Sequence, residues 1–195
     1  MTSGNDSETT VQQADETARL RRVHDVVRVA LFIATAVASG YLLMAVPNVE
    51  LITTVVALSG LLLGAWRGLL IGGASMLLYG ALNAWGPAYP PLWAMQITGM
   101  ILTGLVFGLL RNWLLSLARP LTRAFFFGLV GGVMTLLYDI LTNLAFPLAA
   151  RMPMSGVLTT LTAGIPFALV HIGSNVAISA VVLPVVAKRL ERRFR

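Results

Sequence analysis

The sequence predicts an all-α integral membrane protein with six transmembrane helices and both termini in the cytoplasm. Three observations lead there. Hydrophobic residues make up 57% of the 195, with a mean hydropathy of +0.81, which is more apolar side chain than a soluble domain of this length can bury. Only Glu50 and Arg67 bring an ionised side chain into the stretch from Val29 to Leu110. Of the 14 basic residues, all but Arg151 fall on one side of the membrane once the apolar runs are threaded back and forth. Positive charge accumulates on the cytoplasmic side, which fixes the orientation.

A helical span needs roughly 20 residues. Six runs qualify, at 29–46, 49–66, 68–84, 92–110, 125–148 and 165–187. The first follows a polar, acidic stretch, MTSGNDSETTVQQADETA. That stretch lacks the basic start and apolar core of a signal peptide, so residues 1–24 are expected to be a disordered cytosolic tail ahead of a membrane domain at 25–195. Arg67 marks the turn between spans two and three as a topology anchor. Pro166 fits the first turn of the last span, where its missing N–H is harmless, which makes MPMSGVLTTLTAG (152–164) an outer loop or half-helix. Pro184 is expected to kink that span near its inner end.

Several function classes are excluded by composition. There is no cysteine, so no disulfide, thiolate nucleophile or cysteine metal site exists. The net charge of +6 sits at the ends of membrane segments and reads as topology, not as a nucleic-acid surface. Lys188 is the only lysine and no Gly-x-x-x-x-Gly-Lys occurs, so the chain cannot hydrolyse ATP with a P-loop. No catalytic residue, metal site or cofactor is read from the sequence.

Polar groups inside the spans point to a site, because an ionisable side chain in hydrocarbon is costly unless paired or facing a polar cavity. In TLLYDILTN, Asp139 has Thr135 and Asn143 one turn to either side, with Thr142 on the same stripe. In FALVHIGSN, His171 is followed one turn on by Asn175. Asp139 and His171 both fall in the outer half of the membrane, either facing a shared cavity or paired directly. Gln96 lies near the outer end of span four, and Glu50, beside Asn48, either caps span two or meets a ligand. The loop NAWGPAYPP, stiffened by three prolines, offers Asn83, Trp85 and Tyr89, with Trp93 just beyond, as a lid or as an interfacial belt.

Span one, RVALFIATAVASG, carries Ala30, Ala34 and Ala38 four apart, a flat face that another helix can approach closely. With the six spans, the cytosolic termini and the stretch VPNVELITTVVALSGLLLGAWRGLLIGGASMLLYGALNAWGP, this face resembles the S components of energy-coupling factor transporters over about residues 28–190. The resemblance implies a multi-pass protein of the bacterial cytoplasmic membrane, surrounded by lipid, that binds a vitamin or related micronutrient from outside. It also implies partners: a coupling transmembrane subunit, docked on Ala30, Ala34 and Ala38, and ATPase subunits. The implied pocket is built from Asn48, Glu50, the 83–91 loop, Gln96, Asp139, Asn143, His171 and Asn175. A flat, hydrogen-bonding heterocycle suits it, riboflavin-like and cobalamin-like compounds alike.

Two other readings stand beside this one. FALVHIGSN resembles a fragment of the CAAX-type intramembrane proteases, yet the chain has no Glu-Glu pair and no second intramembrane histidine, since His24 precedes span one. A non-transporting scaffold would use the alanine face alone and needs no pocket.

Overall fold

A computed structural model describes residues 3–83 and 86–194, which form seven α-helices. These are α1 (Ser3–Leu42), α2 (Ile52–Leu63), α3 (Ala65–Ala81), α4 (Pro90–Leu109), α5 (Arg111–Ser116), α6 (Pro120–Ala149) and α7 (Met154–Phe194). Four of them, α1, α4, α6 and α7, are long and apolar enough to cross a membrane, and they mark a multi-pass membrane protein. With 12 and 17 residues, α2 and α3 are shorter. At 1.5 Å per residue they reach about 18 and 26 Å.

The centre of the bundle is α2. Ten of its 12 residues are buried, and it packs against α1, α3, α4 and α7. It turns into α3 through Gly64, whose φ of +91° is open to glycine and strained for other residues. The turn therefore comes before Arg67, the residue that the sequence suggested for it. Arg67 stands instead in the first turn of α3 and pairs with Asp25 of α1 at 2.6 Å.

Glycine sets the spacing of α2, α3 and α4. A methyl group at Gly104 would overlap the Gly68 carbonyl, and one at Gly60 would overlap the Gly104 carbonyl. The three backbones thus touch where side chains normally hold helices apart, as small residues permit in membrane bundles.

Two segments differ from the sequence expectation. Residues 3–24 continue α1 as helix, with the side chains from Asp15 to His24 exposed. Extending an existing helix avoids the cost of nucleating one, and Glu, Gln, Ala and Arg are good helix formers. Residues 154–164 are helix, as the half-helix alternative had it, but run unbroken into α7, so Pro166 lies inside α7 and not in its first turn. The hydrogen bond and clash that proline costs are tolerated in membrane helices where neighbouring helices pack against the site. Here α6 supplies that packing along α7, with the Asn143 side chain seated against Gly164.

Candidate functional site

A cavity of about 570 Å³ opens among α1, α2, α3, α4, α6 and α7. Its lining residues lie at the helix ends remote from the basic side. Counted by helix rise, Asp139 is about 24 Å from Arg123 on α6 and His171 about 26 Å from Lys188 on α7.

The floor of the chemistry is a line of three ionisable groups. His171 Nδ1 lies 2.7 Å from Asp139 Oδ1, and its Nε2 lies 3.6 Å from Glu50 Oε1. The imidazole thus stands between two carboxylates, one at hydrogen-bond distance and one just beyond. Asp139 and His171 are 9% and 7% exposed, and both line the cavity. The two arrangements left open by the sequence therefore coexist, a direct pair and a shared wall. Among the described residues no cluster of three such ligands converges on a metal position.

Each carboxylate uses one oxygen within the protein. Glu50 Oε2 accepts the Thr53 N–H at 3.0 Å, capping α2 at its start, and Asp139 Oδ1 faces the imidazole. The second oxygens, Glu50 Oε1 and Asp139 Oδ2, have no hydrogen-bond partner, nor does His171 Nε2. Glu50 Oε1 and His171 Nε2 face each other at 3.6 Å, beyond hydrogen-bond distance, while Asp139 Oδ2 has no partner at all. A buried polar atom left unpaired costs about 1 to 3 kcal/mol, so this wall marks a place where something else completes the set.

The remaining predicted residues divide. Asn48 lines the cavity with a left-handed backbone at φ 57°, and its carbonyl accepts the Ser174 hydroxyl at 3.3 Å. Gln96 and Asn143 also line it, Asn143 donating to the Asp139 carbonyl at 2.8 Å. Asn175 is fully buried one turn from His171, whose carbonyl it meets at 3.3 Å, and does not line the cavity. Neither do Asn83 and Tyr89, and Trp85 lies outside the described residues. No described residue of the 83–91 loop reaches the cavity; the connection from α1 to α2 lines it instead, through Leu43, Met44 and 46–50. Tyr41 ties that segment down by donating to the Leu82 carbonyl at 2.8 Å.

Trp93 is a helix fastener. Its Nε1 donates to the Met76 carbonyl at 3.3 Å and its ring covers Gly80 of α3. Trp93→Ala is expected to lower the melting temperature, by about 3 kcal/mol of lost packing, while leaving ligand affinity within twofold. Titration of the purified variant checks this, and a loss of affinity at unchanged stability would return Trp93 to the site.

The aromatic walls are Tyr79, Tyr138 and Phe167, which sequence reasoning missed. Tyr79 covers Gly40 and Tyr138 covers Gly99, while the Tyr138 ring meets His171 edge-on at 5.7 Å. The available signal was the hydroxyl: a tyrosine within an apolar run needs a polar outlet for the same reason as Asp139. On α1, Ala30, Ala34 and Ala38 all face outward, whereas Ala36, Ser39 and Gly40 form the buried face. No protein-family model, curated protein or solved structure matches this chain.

Proposed function

We propose that this chain is the substrate-capturing membrane subunit of an uptake system, of the kind that S components of energy-coupling factor transporters provide. It receives a vitamin-like small molecule from outside a bacterial cytoplasmic membrane. A coupling transmembrane subunit and ATPase subunits then drive release inward. The observation that carries this reading is the cavity of about 570 Å³, whose mostly apolar lining gathers Glu50, Asp139 and His171 in one wall. A scaffold has no use for an unpartnered Asp139 oxygen and a loosely held Glu50–His171 pair around a space of that size. The outward-facing Ala30, Ala34 and Ala38 leave a flat strip on α1 for the coupling subunit.

In this reading all six runs cross the bilayer and both termini are cytoplasmic. α2 is short because non-helical backbone at residues 43–51 completes its crossing, which the membrane tolerates where backbone lines a cavity. Single cysteines placed at Ala88 and Ser116 of this cysteine-free chain should then react oppositely with an impermeant maleimide. Ala88 should label from outside intact cells, and outside labelling of Ser116 would overturn the topology.

Function is tested by purifying the full chain from its native membrane and identifying, by mass spectrometry, small molecules released on denaturation. One compound at near-equal molar ratio is expected, and its yield should fall roughly tenfold in Tyr138→Ala, which removes a cavity wall. A parent that carries no compound, or a variant that carries it equally, sinks the uptake reading.

A further inference from the structure

Resting on that reading, we propose that the compound held in the cavity is an organic cation that presents N–H donors, in the manner of an aromatic amidine. The charge of the wall is the first ground. Glu50 and Asp139 line the cavity, His171 is the one basic side chain among the described lining residues, and no lysine or arginine joins it. Even a protonated imidazole leaves two carboxylates against one cation. A net negative wall inside a membrane domain is unfavourable until a positive group enters it.

Hydrogen-bond capacity of the ionised carboxylates is the second ground. Glu50 Oε2 and Asp139 Oδ1 are engaged by the Thr53 N–H and the His171 ring. Asp139 Oδ2 remains without a partner, and Glu50 Oε1 makes no hydrogen bond, its nearest group being His171 Nε2 at 3.6 Å. An ionised carboxylate oxygen can only accept, so the missing groups are donors. A cation bearing N–H groups supplies such donors to these oxygens, which belong to different carboxylates on either side of the imidazole, and carries the balancing charge as well.

The rest of the cavity agrees. Tyr79, Tyr138 and Phe167 line it, and aromatic side chains attract a cation and pack against a flat apolar body. The N-terminal end of α2, which would favour an anion, is already occupied by the Glu50 carboxylate, and His171 lies between the two carboxylates.

Three probes of nearly equal shape test the assignment: benzamidine (cationic), benzamide (neutral) and benzoate (anionic). Binding is measured by calorimetry on the full chain in nanodiscs of zwitterionic phosphatidylcholine, so that lipid charge does not concentrate the cation. Benzamidine is expected to bind roughly tenfold or more tighter than either other probe, since it alone supplies charge-assisted donors. That preference should shrink to about threefold or less in both Asp139→Asn and Glu50→Gln, which keep side-chain shape and remove the charge. Benzoate or benzamide matching benzamidine, an undiminished preference in both variants, or no binding of any probe overturns the assignment. The compound released from native protein separates the two readings. A neutral or anionic compound keeps uptake and overturns the cation, whereas a chain that purifies empty yet holds benzamidine through Asp139 and Glu50 does the reverse.

Discussion

Replacing Asp139 by leucine should lower stability by roughly 3 to 5 kcal/mol and abolish ligand capture, because it strips a buried imidazole of its 2.7 Å partner. The informative variant is the second one. Changing Asp139 and His171 together to leucine removes the directly paired groups and leaves Glu50 held by the Thr53 N–H. Replacing a buried ion pair by apolar side chains is often neutral, or stabilising by about 1 to 4 kcal/mol, so the double variant should regain most of the parent's melting temperature. It should still fail to bind. Thermal melts and ligand titration on the same preparations decide between a pair kept for the fold and a pair kept for the cavity. A double variant that melts like the parent and also binds like it would remove Asp139 and His171 from the site.

The other large effect is expected where backbones touch. A valine at Gly104 would drive into the Gly68 carbonyl and the Leu69 nitrogen, and both obstacles are main chain, which cannot rotate away. Separating α3 from α4 disturbs α2 as well, since Gly60 rests on the Gly104 carbonyl. Gly104→Val should therefore cost roughly 3 kcal/mol or more, at or above the usual range for overpacking. Gly173 supplies the control, because a methyl there meets nothing within 4 Å. Melting followed by size exclusion in detergent should show Gly173→Val close to the parent and Gly104→Val aggregated or strongly destabilised. Equal behaviour of the two would mean that the three helices are not packed through glycine.

The contrast between Asp139 and Trp93 shows what was legible in the sequence. Asp139, His171 and Glu50 announce themselves by cost: each is an ionisable group in or beside an apolar run, and cost is a property of the residue and its neighbours in sequence. All three line one cavity. Trp93 and Tyr89 were drawn toward the ligand by being aromatic and close to a loop, but what an aromatic ring touches depends on the rotation of its helix about its own axis. That rotation is set by partners such as Gly80, which lies in another helix. Tyr79 and Tyr138 were missed for the same reason. The turn at Gly64 was hidden because the residues around it, LLLGAW, are apolar and offer no break in pattern; a single positive φ makes the reversal. The all-helical build was plain from hydropathy, while the length of α2 was not, because apolar residues continue past both of its ends.

The burial of α2 has a consequence for how this sequence can drift. A helix that borders lipid keeps one face on which any apolar side chain will serve, so substitutions there go largely unnoticed. Only Val55 and Leu58 of α2 retain any notable exposure, and the other ten positions are enclosed by neighbouring helices. Each of those is answerable to a fixed neighbour in volume as well as in polarity. Residues 52–63 should accordingly be the stretch least able to accept change, and diversity should collect on the outward faces of α1, α6 and α7, where Leu31, Val133 and Val181 are open to the surroundings.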